Sequence, residues 1–199
     1  MKGLLRRFTG RRPVEEPSIH RDGARVSIRP LRLTDDMAVY AYASDPAVTR
    51  FLPWHPAPTL GTVRNFLVQQ LGRRRRGESY AFAVERRDTG MMIGSTDLMG
   101  LHEAPTGQAE LGYILGREHW GQGLMTEAAA LTVAAGFEDL GLDRIVAFAD
   151  IDNTGSCRVL EKIGLRRIGT ENRMVKDEDR TYARYQLARS EWDGSGGNA

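Results

Sequence analysis

Val26 and Ile28 are apolar positions separated by polar ones, which predicts a first strand that Pro30 closes. Thr34, Asp35 and Asp36 then offer helix-start signals ahead of Met37, Val39, Tyr40 and Tyr42. A proline-rich loop over residues 45–58 leads into a second helix of about 16 residues, whose apolar positions Val63, Phe66, Leu67 and Leu71 share a face. Residues 80–85 and 92–99 read as strands around a hairpin turn at residues 87–90. Residues 110–115 form another apolar strand, followed by a turn with Gly121 and Gly123, a helix, and a strand at 144–149. The small residues Ala128, Ala129, Ala130, Ala134 and Ala135 let that helix sit close to a sheet, and Gly136 marks its last turns. A further helix follows Asn153, and residues 166–174 and 181–187 make a closing hairpin across residues 176–179.

Composition narrows this picture. The chain has 199 residues, 41% hydrophobic and 27% charged, which suits one globular domain with a sizeable core. Residues 1–22 are basic, carry Pro13 and Pro17, and read as a flexible arm before a domain over residues 23–192 and a flexible tail at 193–199. A net charge of +2 gives no strong pull toward nucleic acid. The single cysteine, Cys157, allows no internal disulfide and favours the cytoplasm. The start lacks the apolar stretch of a secretory leader. No run approaches the roughly 18 apolar residues of a membrane span.

The candidate chemistry centres on Gly121 and Gly123. A glycine pair between a strand and a helix lets main-chain amides converge on an anion, and the helix dipole adds to the attraction. The turn therefore predicts a phosphate-bearing ligand. A P-loop needs four residues between its glycines and a Lys-Ser/Thr after the second, whereas Leu124 and Met125 follow Gly123. A dinucleotide fingerprint needs a third glycine where Thr126 stands. Asp150 could supply its acid, but too little chain follows for the second half of that fold.

Residues 120–125 resemble the acetyl-coenzyme A turn of the GNAT superfamily, Arg/Gln-x-x-Gly-x-Gly/Ala; they match at Gly123 and depart at Trp120 and Met125. Asn153, Ser156, Glu161, Lys162 and Gly164, with Leu165 in place of phenylalanine, resemble the Asn-x-x-Ser … Glu-Lys-x-Gly-Phe segment of the RimJ/RimL branch, which acetylates protein N-termini. The Trp-Gly-Gln-Gly-Leu-Met form of the turn is itself similar to the RimJ version. Phe51 to Trp54 and residues 182–192 extend the likeness over residues 25–192.

The resemblance implies an α/β fold: a mixed, mostly antiparallel sheet with a splayed parallel strand pair and flanking helices. It implies an N-acetyltransferase that uses acetyl-coenzyme A as cosubstrate and no metal. The acceptor would be a primary amine, foremost the α-amino group of a protein N-terminus such as that of a ribosomal protein. The thioester would lie between strands 110–115 and 144–149, where Gly112 makes a bulge cheap. Amides of Tyr113, Ile114 and Leu115 would hold the pantetheine and polarise the thioester carbonyl. Those of Gln122, Gly123, Leu124, Met125 and Thr126 would surround the pyrophosphate, with Arg117 and Lys162 near the 3′-phosphate. Asn153 and Ser156, one helical turn apart, would face the sulfur end, Ser156 donating a proton to the leaving thiolate. Glu110 would order a water that deprotonates the amine, with Asp150, Asp152 and His102 as fallbacks.

Other readings stand beside this one: a small-amine acetyltransferase of the same fold, a coenzyme-binding module without turnover, and a dinucleotide-binding protein. Phe51, Pro53, Trp54 and His55 read as an acceptor lip or as loop packing. The spacing of Cys157 to Leu160 and Glu161 fits a buried helix position better than a nucleophile. Arg73 to Arg76 read as a solvated helix end or a contact for an anionic partner such as ribosomal RNA.

Overall fold

A computed structural model describes residues 18–101 and 107–194. Among the described residues eight strands form a single sheet: β1 (Arg21–Asp22), β2 (Val26–Pro30), β3 (Ser79–Arg86), β4 (Met92–Met99), β5 (Gln108–Leu115), β6 (Arg144–Asp150), β7 (Arg166–Val175) and β8 (Glu178–Ala188). Their spatial order is β1-β2-β3-β4-β5-β6-β8-β7. Every neighbouring pair is antiparallel except β5 and β6. Those two run parallel because α4 (Leu124–Ala134) carries the chain back between them, as a parallel pair requires. Residues 1–17, most of the expected arm, and 195–199 of the expected tail lie outside the described residues. The arm's last residues, Arg21–Asp22, pair with β2, and Ile19 is buried with its amide donating to the Tyr80 hydroxyl. None of the described helices is long and apolar enough to cross a membrane.

Helices cover both faces. α1 (Asp36–Ala43), α2 (Pro46–Thr49) and α3 (Leu60–Arg75) lie on one, burying Val39, Tyr42, Val48, Val63 and Leu67 against Ala81 and Ala83. The expected 16-residue helix is α3, but Phe66 is 41% exposed while Gln70 is buried, its amide oxygen accepting from the Ser79 hydroxyl. In the proline-rich loop Asp45 accepts the Ala47 amide and Pro46 opens the short α2. Asp35 does not cap α1. Its carboxylate takes two hydrogen bonds from Arg29 and one from the Arg32 amide, so it anchors the chain entering α1 onto β2.

α4 and α5 (Thr154–Lys162) pack on the other face. Ala128, Ala129 and Ala130 are all buried there, and the Thr132 hydroxyl meets that of Thr96 at 2.7 Å, so small residues do bring α4 close to the sheet. α4 continues into a π-helical turn, Ala135–Asp139, among whose residues a Cβ on Gly136 would lie 3.0–3.2 Å from Ile145, Leu142 and Leu98. Packing, more than chain termination, requires that glycine.

The sheet opens at its centre. β5 pairs with β6 only at Gln108↔Arg144, Ala109↔Ile145 and Glu110↔Val146. Beyond this, β5 stays with β4 up to Leu115↔Gly94, and β6 stays with β8 up to Asp150↔Tyr182. Each strand follows its outer partner, and a gap separates residues 111–115 from 147–150. The expected bulge at Gly112 is absent, since β4 and β5 pair there without a register shift. What Gly112 accommodates is Met99, whose terminal carbon would lie 3.1 Å from an added Cβ. The closing hairpin turns on two residues, Lys176 and Asp177, both with positive φ, and is tighter than the four-residue turn the sequence suggested.

Candidate active site

The gap has a floor on each face of the sheet, and strand alternation decides which side chains reach which. Thr96 bonds to Thr132 of α4, whereas Ser95 bonds to Tyr42 of α1, so Ser95 and Asp97 face the α1/α3 layer. In β5, Ala109, Leu111, Tyr113 and Leu115 pack on the α4/α5 side, and Ile114 packs with the α1/α3 cluster. Amides alternate in the same way. The Gly116 amide bonds to Ile93 on β4, so that of Ile114 also points to β4, and those of Tyr113 and Leu115 point into the gap. Of the three expected pantetheine donors, Ile114 is therefore turned away.

At the end of β5 a 3₁₀ turn, Arg117–His119, leads to Trp120, whose indole Nε1 donates to the Leu115 carbonyl at 2.8 Å. Gly121 and Gly123 have φ of 72° and 75°, left-handed values that favour glycine. Gly123 is the N-cap of α4 and no side chain caps it, which leaves the first amides of the helix to bind an anion. Leu124 and Met125 bury their side chains in the core, so only their amides face this turn. Gln122 donates to the Glu118 carbonyl at 2.9 Å. Arg117 is ion-paired with Asp45 on the α1 side, whereas Lys162 is exposed at the end of α5.

Across the gap the Asn153 carboxamide accepts the Ser156 amide at 3.2 Å and starts α5. The Ser156 hydroxyl lies 2.9 Å from that of Tyr113, which also lies 3.0 Å from the Ser156 carbonyl. Burial pushes the Tyr113 phenol well above its ordinary pKa, against the lowering effect of Ser156, so it stays protonated at neutral pH. The structure thus joins Ser156 to the Tyr113 side chain, a partnership the sequence reading missed because it considered only the Tyr113 backbone. Alternation with Leu111 and Leu115 was the available signal. Cys157 faces inward, its thiol directed at the Asp150 carbonyl at 3.8 Å.

On the α1/α3 face, Asp97 pairs with Gly112 and Met99 with Glu110, which makes Asp97 and Glu110 diagonal neighbours. Burial raises the Glu110 carboxyl, Arg173 opposes the shift, and Glu171 adds to it. Asp97 is pushed up to about 7 by burial, which outweighs the lowering effect of Arg73 and is reinforced by Glu110. Its Oδ1 is buried with no hydrogen-bond partner among the described residues. The sequence reading missed this residue; its signal was a lone acid inside the otherwise uncharged strand at 92–99. The Arg173 guanidinium stacks 3.8 Å from the Phe148 ring centre, and Lys176 donates to the Thr49 carbonyl at 2.7 Å, pinning the β7–β8 turn to the α2 loop. Phe51 of that loop accepts from the Tyr182 hydroxyl at its carbonyl, while Trp54 is 40% exposed. Of the fallback bases, Asp150 is committed to Arg180 and the Asp152 amide, Asp152 is exposed, and His102 lies outside the described residues.

Residues 25–166 match the model of a family described as an acetyltransferase (GNAT) domain. The chain is 30% identical over 145 residues to the uncharacterized N-acetyltransferase p20 of Bacillus licheniformis, covering 73% of this chain and 81% of that one. A GNAT-family acetyltransferase structure from Bacillus anthracis superposes with a TM-score of 0.78 at 27% identity, covering 87% of this chain and 100% of that one. The structure of Mycobacterium smegmatis RimJ in complex with CoA-disulfide shares the fold with a TM-score of 0.76 at 23% identity over 86% of each chain.

Proposed function

The chain belongs to the GNAT acetyltransferase family and is an acetyl-coenzyme A-dependent N-acetyltransferase, and on that premise we propose that it acetylates the α-amino group of a protein N-terminus, ribosomal proteins foremost. The observation that carries the mechanism is the division of the β5–β6 gap: paired hydroxyls on the α5 side, paired carboxylates on the α1/α3 side. Amides of Gln122, Gly123, Leu124, Met125 and Thr126 hold the diphosphate, Lys162 lies toward the 3′-phosphate, and Asn153 orders the start of α5 beside the sulfur. The Tyr113 and Leu115 amides polarise the thioester carbonyl.

The neutral amine attacks that carbonyl carbon, a C–N bond forms, and the C–S bond breaks. The thiolate takes the Ser156 proton, Tyr113 passes its own to Ser156 through their hydrogen bond, and solvent water returns a proton to the Tyr113 phenolate. The amine's surplus proton leaves through water held by Glu110. An α-amino group with a pKa near ~7.7–8 needs little help from such a base, whereas a lysine near ~10.4 needs much more. This supports the N-terminal reading. A polyamine acceptor is the second reading, favoured by the adjacent Glu110 and Asp97, which suit a cation.

A panel assay tests the choice. Peptides with a free N-terminus should turn over faster than N-blocked, lysine-bearing peptides and faster than spermidine. A spermidine rate above all peptide rates would overturn the N-terminal reading, and labelled acetyl-coenzyme A in a lysate would then identify the natural acceptor.

A further inference from the structure

The turn that receives the coenzyme's diphosphate is tethered from a distant part of the chain. Between β1 and β2 stands Arg25, whose Nη1 donates to the Gln122 carbonyl at 2.7 Å. Its Nε donates to Glu127 Oε2 at 3.0 Å, and its own amide donates to Glu127 Oε1 at 2.7 Å. The Val26 amide completes the set at 3.1 Å. Glu127 is on the first turn of α4 and nearly buried. Burial alone would raise its carboxyl, but these hydrogen bonds outweigh it and hold the pKa below the usual value, so the anion persists. Gly23 leaves room for it, since a Cβ there would lie 2.4 Å from Oε1.

The consequence concerns one peptide plane. In a trans peptide the carbonyl and the next amide point in opposite directions. With the Gln122 carbonyl held by Arg25, the Gly123 amide is turned away from Arg25. Gly123 is free to take either sign of φ, so its own residue type does not enforce this orientation. We propose that Arg25, braced by Glu127, is a positioning residue that locks the Gln122–Gly123 peptide with its N–H toward the coenzyme diphosphate. The inference rests on the coenzyme site proposed above and adds to it a residue nearly one hundred positions upstream.

The test separates diphosphate recognition from folding. S-acetylpantetheine carries the thioester without the diphosphate. In the full chain, Arg25→Met should weaken coenzyme A binding by about ten-fold to a hundred-fold in calorimetry, the range for a lost hydrogen bond to a charged group. It should raise KM for acetyl-coenzyme A while kcat at saturation stays within about two-fold, and kcat/KM for S-acetylpantetheine should not move. Arg25→Lys, which keeps the charge but not the planar fork that reaches Gln122 and Glu127 together, should fall between wild type and Arg25→Met. Wild-type coenzyme affinity in either variant overturns the proposal. So does an equal loss with S-acetylpantetheine, which would mark a general structural defect. If the wild-type chain itself does not bind coenzyme A, the diphosphate turn fails, and this tether with it.

Discussion

On the α4/α5 side of the gap the proposed binding groups are main-chain amides at two glycines and a helix start, contributed by one continuous stretch from β5 into α4. On the α1/α3 side they are side chains: Asp97 from β4, Glu110 from β5, Arg173 from β7, and a loop held by Lys176. An amide neither titrates nor depends on its own side chain, so the first half should be indifferent to pH and to most substitutions. The second includes two carboxyls, Asp97 and Glu110, that burial raises, and should respond to both. A donor common to a family can be met by backbone, while acceptors that differ from enzyme to enzyme are met by groups that are easily exchanged.

The sharpest way to break this contrast is at Gly123. An aspartate there would hold a left-handed φ of 75° and put a carboxylate among the amides that await the diphosphate. Its Cβ would sit 3.3 Å from the Arg25 guanidinium, a tight contact with the far end of a flexible side chain. Gly123→Asp should lower coenzyme A affinity by on the order of a hundred-fold or more, equivalent to at least ~2.7 kcal/mol, with circular dichroism unchanged. Wild-type affinity by calorimetry would refute a backbone-built site.

Next in size is the hydroxyl pair. Ser156→Ala should cut kcat by about a hundred-fold, the low end for general acid catalysis, with KM for acetyl-coenzyme A nearly constant. Tyr113→Phe leaves the Ser156 proton in place and removes only its replacement, so its loss should be nearer ten-fold. Unchanged turnover in Ser156→Ala excludes the role. A larger loss in Tyr113→Phe than in Ser156→Ala would make the phenol itself the donor to sulfur.

The same division explains what the sequence revealed. The glycine turn is local, so its spacing alone predicted a phosphate-bearing ligand, whereas the coenzyme, the roles in the segment from Asn153 to Leu165 and the splay followed from the likeness to a known family. Asp97 and Glu110 are brought together only by strand register, and Asp97 becomes unusual only once the fold buries it. Gly112 misled for a related reason. A glycine inside a strand signals either a bulge or a close neighbour, and nothing along the chain announces that Met99 is that neighbour. The brief α2 was signalled by Asp45 and Pro46, but four residues carry no periodicity to detect.

Glu110→Gln probes the titrating half. Removing the carboxylate removes the site for proton-accepting water, so kcat/KM for an N-terminal peptide should drop about ten-fold near pH 7. At pH 9 the α-amine is already neutral, its pKa being ~7.7–8, and the defect should shrink to about two-fold. A defect of equal size at both pH values would assign Glu110 to acceptor binding and not to proton removal.

The smallest effect is expected at Asp97, and it sharpens the contrast through the pH dependence of stability. Burial holds its folded pKa at about 7, above the ordinary 3.8 that applies to the unfolded chain. Below pH 4 both states carry the proton and Asp97 costs nothing. Between pH 4 and 7 the unfolded chain releases it while the folded protein keeps it, so stability falls as pH rises. Above pH 7 both states are ionised and the penalty is complete. An asparagine at this position has no such linkage: Asp97→Asn should leave Tm nearly unchanged at pH 4 and raise it at pH 8, with the gain growing between those limits and then levelling. Each kcal/mol relieved corresponds to roughly 2–4 °C for a chain of this size. A loss of Tm at pH 8 would mean that the Asp97 carboxylate is stabilised as an anion, and a gain independent of pH would mean that it titrates alike in the folded and unfolded chains. The acceptor half would then be as insensitive to pH as the coenzyme half.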